Sequence, residues 1–349
     1  MKMNPLGRTG LEVSELCLGS MTWGRQTAED EAHAQIDRAL ERGINFVDTA
    51  EMYPVNPVRR ETIGDTEAII GTWNARNAAR RGDYILATKI SGEGNAYVRD
   101  GGRVTGKSLV EALEGSLKRL QTDYVDLYQL HWPNRGSFQF RRNWTFDPTG
   151  TDSAEVVRAE IREVLEAAQG LIDAGKMQAI ALSNESAWGI AQWTRVAEEH
   201  SLPRVASIQN EYSLMCRLFD TDGAEAAMKE DVGLLAFSPL ACGMLTGKYL
   251  GGQIPAGSRR DLSPALGGRW NEHVDETVVV YCGIAKKHGL DPSQMALAWA
   301  LTRPFMTSVI FGATNFAQLE TALGAQDLTL SDEVMADIAA AHKAHPMPY

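Results

Sequence analysis

Eight short apolar runs alternate with longer amphipathic stretches along the chain, and this alternation restricts the fold more than any other feature. Several runs have few polar interruptions, as is typical of strands that are buried on both faces of a parallel sheet. The amphipathic stretches predict crossover helices, so we expect an α/β protein with parallel strands. The predicted strands are Glu15–Gly19, Asn45–Asp48, Ile85–Lys89, Val125–Leu130, Ala179–Ser183, Ser207–Asn210, Leu234–Ser238 and Thr307–Phe311.

Closure of these strands into a (β/α)8 TIM barrel is the simplest arrangement, and an open doubly wound sheet is the alternative. The stretch Met1–Glu12 predicts an N-terminal β-hairpin that covers one end of the barrel. Because no Pro/Ser-rich linker interrupts the pattern, we expect residues 1–349 to form a single domain. The long connections Ile90–Lys107, Trp132–Ser153 and Leu240–Asn271 all follow strands. In a barrel they lie on the C-terminal face, where barrel active sites are found.

Composition excludes several classes of protein. The chain has 349 residues and a net charge of −11, which argues against binding to nucleic acid or to an anionic membrane. Its four cysteines form no CxxC pair and no Cys/His cluster with zinc spacing, so we expect no metal and a reduced, cytoplasmic protein. No run approaches the roughly 20 apolar residues of a membrane span.

Four polar residues interrupt or follow the predicted strands. Asp48 ends the second strand and Tyr53 follows it, Lys89 ends the third strand, and His131 follows the fourth. Each has an ordinary structural explanation, as a cap, a solvated charge, a packed aromatic or a satisfied core histidine. These separate explanations do not account for the four residues as a set, because successive barrel strands would bring all of them to one face. Such a set contains the parts of a proton-donating site.

The segments around these residues resemble the signature segments of the aldo-keto reductase family. GINFVDTAEMY, LATKI and SLKRLQTDYVDLYQLHWP carry the resemblance first, and LSNES, SIQNEYS, FSPLACGMLTGKY and VIFGATNFAQLE continue it in order. The stretch from Pro54 to Asp65 and the long loop after His131 are similar to the bacterial Tas-like branch. The resemblance implies an NADPH-dependent oxidoreductase that reduces aldehydes or ketones to alcohols by hydride transfer.

The resemblance also implies a catalytic tetrad of Asp48, Tyr53, Lys89 and His131. A carbonyl that accepts a hydride needs a proton, and the phenol of Tyr53 would supply it as the general acid. A free tyrosine has a pKa near 10, and we expect the charge of Lys89 to lower it. Asp48 would hold Lys89 through an ion pair, and His131 would orient the carbonyl oxygen.

A second set of residues is implied to bind the cofactor. Ser183, Asn184 and Gln209 match groups that bind the nicotinamide carboxamide, and Tyr212 matches the aromatic residue on which the nicotinamide stacks. The loop that wraps the pyrophosphate matches Ser238, Leu240, Gly243, Leu245 and Lys248, and Arg259 reaches a phosphate from the same loop. The adenosine end matches Gly312, Ala313, Thr314, Gln318 and Glu320.

The sequence departs from the family pattern at the residues expected to contact the adenosine end of the cofactor. Phe311 stands where proline is frequent, Ala322 where asparagine is frequent, and no basic residue lies near Thr314. Lys248, Arg259 and Arg260 remain as candidate phosphate partners, so we expect NADP to be preferred over NAD. Trp23, Trp132 and Trp144 are candidate walls of an apolar pocket for a small carbonyl substrate, and ordinary loop packing is the equal alternative.

The stretch GGRVTGKS, residues 101–108, matches the Walker A pattern, but a polar segment separates it from the preceding strand, whereas a phosphate-binding loop follows a buried strand directly. Two further alternatives stay open. One is an NADPH-binding regulatory or sensor subunit of the same fold with little turnover, and the other is a phosphate-handling barrel enzyme. The sequence leaves the natural substrate, the physiological direction and the oligomeric state undetermined.

Overall fold

The computed structural model describes residues 1–55 and 57–349. Asn56, inside the stretch Pro54–Asp65 that carries part of the family resemblance, lies outside the described residues. The chain begins with a hairpin of β1 (Met3–Pro5) and β2 (Glu12–Ser14). Eight further strands follow: β3 (Leu16–Gly19), β4 (Phe46–Asp48), β5 (Ile85–Ile90), β6 (Val125–Leu130), β7 (Met177–Ser183), β8 (Ser207–Glu211), β9 (Gly233–Phe237) and β10 (Met306–Gly312).

Strands β3 to β10 form a closed barrel in chain order, with β10 paired to β3. Every neighbouring pair of barrel strands is parallel. The predicted (β/α)8 TIM barrel with an N-terminal hairpin is therefore confirmed, and the open doubly wound sheet is excluded. The predicted strand bounds differ from the observed ones by at most two residues at either end.

Helices surround the barrel. They are α1 (Glu29–Glu41), α2 (Asp65–Arg76), α3 (Gly106–Leu120), α4 (Ala154–Asp173), α5 (Ala187–His200), α6 (Asp222–Glu230), α7 (Arg259–Leu262), α8 (Val274–Lys287), α9 (Pro292–Leu301), α10 (Phe316–Leu323) and α11 (Asp332–Ala344). Helix α3 begins with a capping box. Thr105 caps α3, and its hydroxyl accepts from the Ser108 amide while the Ser108 hydroxyl accepts from the Thr105 amide.

The interior of the barrel is divided into an apolar half and a polar half. Small and medium side chains fill the lower half, and the hairpin adds the fully buried Leu6 and Val13 beneath them. The inward-facing residues of the strands in this half are Cys17, Phe46, Ala87, Leu127, Ala179, Ala181, Leu235 and Ile310. Because side chains alternate along a strand, the residue two positions further toward the C-terminal end of each strand also points into the barrel. Those next positions carry most of the polar residues described below.

Each of the three long loops on the C-terminal face is held by an ion pair to a buried glutamate. Arg99, from the loop after β5, pairs with Glu51, one oxygen at 2.6 Å and the other at 2.7 Å. Arg135, from the loop after β6, pairs with both oxygens of Glu185. Arg269, from the loop after β9, pairs with Glu211 at 2.6 and 2.8 Å. Bidentate pairs of this kind fix orientation as well as position, so the loops over the barrel mouth are fixed at defined points.

The hairpin yields a prediction about stability. Leu6 is fully buried against the barrel floor, so Leu6→Ala should lower the free energy of unfolding by about 2–5 kcal/mol through the lost contacts and the cavity. Urea unfolding monitored by circular dichroism measures this change. Leu11→Ala is the matched control, because Leu11 is only partly buried against the same cluster. Equal losses from both substitutions would show that the hairpin does not close the barrel floor as described.

Candidate active site

A buried ion pair lies at the centre of the polar half of the barrel. The Lys89 ammonium donates to Asp48 Oδ2 at 2.6 Å and to the Thr49 carbonyl at 2.7 Å. Lys89 is fully buried and Asp48 nearly so. The neighbouring strands β4 and β5 present both side chains inward at the C-terminal end, because Asp48 lies two residues after Phe46 and Lys89 two residues after Ala87. A buried ammonium needs such a partner, and Asp48 raises the pKa of Lys89 against the opposing effect of burial.

Tyr53 lies beside this pair. Its hydroxyl is 3.5 Å from Lys89 Nζ, and the ammonium lies 4.9 Å from the centre of the ring. Burial raises the pKa of Tyr53 above 10, and the charge of Lys89 offsets only part of this increase. The expectation that Lys89 lowers the pKa below its ordinary value is therefore wrong for the net effect, although the direction of Lys89's own contribution is right. At neutral pH Tyr53 carries its proton, which is the form that a proton donor requires.

His131 faces Tyr53 across the mouth of the barrel. The two rings meet edge to face with their centres 5.8 Å apart. Burial, helped by the charge of Lys89, lowers the pKa of His131 well below 6.5, so the imidazole is neutral at pH 7. Its Nδ1 atom is buried and has no hydrogen-bond partner among the described residues. A neutral imidazole with an unbonded nitrogen can donate to, or accept from, a ligand placed beside it.

Two glutamines donate hydrogen bonds to the second carboxylate oxygen of Asp48. Gln129 Nε2 donates to Asp48 Oδ1 at 3.0 Å, and Gln209 Nε2 donates to the same oxygen at 2.8 Å. Gln209 Nε2 also lies 3.0 Å from Gln129 Oε1. Gln129 was not among the predicted residues. Its place two residues before His131, which puts both side chains on the inner face of the barrel, could have identified it. The amide nitrogen of Gln209 is thus already bonded to protein groups. Only the Gln209 side-chain oxygen could bind the nicotinamide carboxamide, as expected from the sequence.

Ser183 and Asn184 lie together at the end of β7. Asn184 Nδ2 donates to the His131 carbonyl at 2.9 Å and to Ser183 Oγ at 3.0 Å. Asn184 has a φ of 54°, and its Oδ1 is buried without a partner among residues 1–55 and 57–349. Leaving a buried acceptor unbonded is costly, so the strained backbone and the unsatisfied oxygen together indicate a ligand that donates here. A primary amide would fit.

Tyr212 does not fit the stacking role expected for it. The ring is fully buried and stacks on Trp299 of α9, with centres 5.4 Å apart and planes 10° apart. Its hydroxyl donates to Asp220 at 2.6 Å. The reason is strand alternation: Gln209 points inward, so Tyr212, three residues later, points toward the helices. Phe237, unlike Tyr212, is expected to point into the barrel, because it lies two residues after the inward-facing Leu235 at the end of β9. Its side chain is half-buried.

The loop after β9 combines an unusual backbone with two cationic side chains, Lys248 and Arg259. Positive φ angles occur at Ser238, Ala241, Cys242, Gly243 and Gly247. Leu240 and Leu245 lie in the same tight loop, where the Leu240 carbonyl accepts from the Gly243 amide at 2.9 Å and the Leu245 amide at 3.2 Å. Gly243 has a φ of 88°, which favours glycine, and the Lys248 side chain packs against it, since a Cβ atom there would lie 2.9 Å from Lys248 Nζ. Such turns present amides to anions.

Lys248 and Arg259 lie in this loop, near enough for their charges to interact. Burial and then the charge of Arg259 lower the pKa of Lys248, and no acidic side chain contributes. Arg259 makes one long contact, 3.7 Å from Nη1 to Met21 Sδ, and its buried Nε has no partner within the described part of the chain. Two cations without a carboxylate between them form a place for a phosphate anion.

The adenosine residues expected from sequence are only partly available. Gly312 is exposed at the end of β10, Ala313 is buried, and Thr314 donates to Gln318 Oε1 through its amide and its hydroxyl, at 3.0 and 3.1 Å. Glu320 instead faces α1, where Arg38 donates to it at 2.6 Å. This ion pair lowers the pKa of Glu320 and turns its carboxylate away from the β10 end, so its expected role is not supported.

The three tryptophans expected to line a substrate pocket lie in different environments. Trp23 is fully buried in the core and Trp144 is 72% exposed, so neither lines a pocket in this structure. Trp132 lies beside His131, with ring centres 5.1 Å apart, and donates to the Glu93 carbonyl at 2.9 Å. Only Trp132 is therefore positioned to contact a carbonyl substrate.

Three further findings bear on the expected exclusions. Lys107 of the GGRVTGKS stretch is exposed and lies 3.7 Å from Glu111, and the Gly106 amide donates to Glu163 at 2.8 Å, so a carboxylate already occupies the start of α3. Among the described residues, no group of three or more His, Cys, Asp or Glu side chains could hold a metal ion. No helix over that same part of the chain is long and apolar enough to cross a membrane.

The buried neutral histidine yields a prediction about pH. Because the folded protein resists protonation of His131 and the unfolded chain does not, stability should fall as pH drops below 6.5. Between pH 7.5 and 5.5 the wild type should lose about 1 kcal/mol more unfolding free energy than His131→Gln. Urea titrations at both pH values measure the difference, and His200→Gln, at an exposed helix end, is the control. Identical pH dependence in the wild type and His131→Gln would contradict the neutral assignment.

Comparison with known proteins agrees with this geometry. Residues 15–343 match the model of the aldo/keto reductase family. "Protein tas" of Escherichia coli (strain K12) is 43% identical over 100% of this chain and 99% of its own length. "Uncharacterized oxidoreductase YrpG" of Bacillus subtilis is 34% identical over 96% and 94%. "Probable voltage-gated potassium channel subunit beta" of Oryza sativa is 33% identical over 99% and 98%. The chain belongs to the aldo/keto reductase family and is similar to its Tas-like branch.

Proposed function

We propose that the protein is an NADPH-dependent reductase that converts small aldehydes or ketones to alcohols, working in the cytoplasm. The observation that carries the proposal is the neutral Tyr53 phenol beside the buried Lys89–Asp48 pair, with the neutral His131 opposite it. Membership of an oxidoreductase family supports the reaction class. The four free cysteines support a reducing compartment.

The proposed chemistry divides proton donation from carbonyl orientation. A bound nicotinamide cofactor supplies the hydride. Tyr53 Oη donates its proton to the carbonyl oxygen as negative charge develops there, and the adjacent Lys89 ammonium stabilises the phenolate that remains. Asp48, fixed by Gln129 and Gln209, keeps Lys89 in place. The neutral His131 positions the carbonyl oxygen through a hydrogen bond without competing as an acid.

The residues present fit a dinucleotide at the neighbouring strand ends. Asn184 Oδ1, buried and unbonded within the described residues, would accept from the carboxamide, and Phe237 would contact the nicotinamide ring in place of Tyr212. Lys248 and Arg259 would bind the pyrophosphate, with the amides of the Ser238–Gly247 loop. The excess of positive charge from Lys248 and Arg259 is our reason to propose NADPH rather than NADH as the reductant.

A regulatory subunit is the second candidate, and the similarity to the probable potassium-channel subunit beta of rice favours it. Such a protein would bind the cofactor through the same residues and turn over slowly. Steady-state oxidation of NADPH in the presence of an aldehyde panel separates the two candidates. Turnover of any aldehyde or ketone at an ordinary enzymatic rate supports the reductase, and cofactor binding without turnover supports the subunit.

The proton-donor role yields a mutational prediction. Tyr53→Phe should reduce kcat for aldehyde reduction by about a hundredfold to ten-thousandfold, while NADPH affinity changes little. Lys89→Met should be comparably severe, and the double mutant should be no worse than either, because both act through one proton transfer. Tyr128→Phe is the matched control, since that buried hydroxyl has no partner among the described residues. Near-normal turnover by Tyr53→Phe would refute the mechanism.

The cation pair yields a prediction about the cofactor. Arg259→Met should weaken NADPH binding by about tenfold to a hundredfold, since a charged hydrogen bond contributes about 1.5–3 kcal/mol. Arg260→Met should change the affinity much less, because the Arg260 guanidinium lies over Trp270, 3.4 Å from the ring centre. Fluorescence titration of both variants with NADPH and NADH measures the affinities. Equal effects of the two substitutions would contradict the assignment, and equal kcat/KM with NADH would contradict the preference for NADPH.

A further inference from the structure

One cluster of charges at the barrel mouth is unbalanced. Glu211, the last residue of β8, accepts from Arg269 through both oxygens and from Arg141 Nη1 at 3.2 Å. The Tyr349 hydroxyl, which lies 3.3 Å from Glu211, adds no charge. Among the described residues, two guanidinium groups therefore share one carboxylate, which leaves the cluster with one net positive charge. Arg269 alone already makes the bidentate pair that holds its loop, so Arg141 is the surplus cation.

Arg141 is held in an unfavourable state. Burial and the repulsion from Arg269 lower its pKa, and its Nε is buried without a hydrogen-bond partner in the described part of the chain. Its backbone is strained as well, since Phe140 and Arg141 have consecutive φ angles of 60° and 62°, which side chains larger than glycine rarely adopt. Strain and an incompletely paired charge persist where the surroundings impose them, and both are concentrated at functional sites.

The position of Arg141 relates it to the substrate rather than to the cofactor. It belongs to the loop after β6, and the ring of the preceding Phe140 lies 6.0 Å from that of Trp132. Trp132 in turn lies 5.1 Å from His131, which we propose orients the carbonyl. The phosphate groups of the cofactor already have Lys248 and Arg259, from a different loop. An anion that balances Arg141 would thus belong to the far end of a molecule whose carbonyl contacts His131.

We propose that Arg141 is a specificity-determining residue that selects carbonyl substrates carrying a carboxylate remote from the reacting carbon. The proposal rests on the proposed reductase function. Arg141 Nη1 stays on Glu211, and the remaining donors of the guanidinium bind the substrate carboxylate. The interaction is made equally before and during the reaction, so it acts on KM rather than on kcat.

The experiment compares acids with their own methyl esters. Succinic semialdehyde, 5-oxopentanoic acid and 4-carboxybenzaldehyde are assayed with NADPH beside the corresponding esters. The wild type should favour at least one acid over its ester by about tenfold or more in kcat/KM. Arg141→Met should abolish that preference by raising KM for the acid, and should leave ester turnover within about twofold. Arg141→Lys, which keeps the charge and loses the planar fork, should retain part of the preference.

Arg142→Met is the matched control, because it removes the same charge from the next residue, whose exposed guanidinium lies over Phe146. It should keep the acid preference. No preference for any acid while the esters are reduced, or equal losses on acids and esters in Arg141→Met, would overturn the proposal. Weaker NADPH binding in Arg141→Met would also overturn it, by assigning the charge to the cofactor. Failure of the wild type to reduce any compound would remove the proposed function itself, and this proposal with it.

Discussion

The buried ion pair between Lys89 and Asp48 is the interaction on which the rest of the site depends. An ammonium at the centre of a barrel is tolerable only with a partner and further hydrogen bonds, and removing one member of such a pair costs about 3–5 kcal/mol. Here the further bonds come from the Thr49 carbonyl, Gln129 and Gln209. The pair therefore links β4, β5, β6 and β8, and any change to it alters both the stability of the polar half and the charge next to Tyr53.

The charges of the site are separated by function. Near the ion pair the two groups that would meet a carbonyl are both neutral at pH 7, because burial raises the pKa of Tyr53 and lowers that of His131. Beyond β9, the charge of Arg259 lowers the pKa of Lys248, and no ion pair to either residue is found among the described residues. In the proposed function, the first region delivers the proton and the second binds the phosphates of the cofactor. Such a separation suits the proposed reductase, whose cofactor would carry its negative charges on phosphates away from the reacting carbonyl.

The fold and the clustering of the proposed catalytic side chains could be predicted from the sequence because both follow from strand alternation and strand order, while the roles of those side chains came from the family resemblance. Asp48, Lys89 and His131 lie at the C-terminal ends of successive parallel strands, which a closed barrel brings together. The same alternation, counted residue by residue, favours Phe237 over Tyr212 as the aromatic residue proposed to contact the nicotinamide ring. Three other features depend on packing that no local pattern records: the burial of Trp23, the pairing of Glu320 with Arg38, and the net rise in the pKa of Tyr53.

The central claim is that the barrel transfers a hydride to a carbonyl whose oxygen is protonated by Tyr53. A single-turnover experiment with NADPH deuterated at the transferring position of C4, followed by mass spectrometry and NMR of the product, tests it directly. The account predicts an alcohol that carries deuterium on the former carbonyl carbon, formed rapidly by the wild type and at least a hundredfold more slowly by Tyr53→Phe. Cofactor that stays fully reduced on the wild-type protein, or alcohol formed equally fast without the Tyr53 hydroxyl, would contradict it.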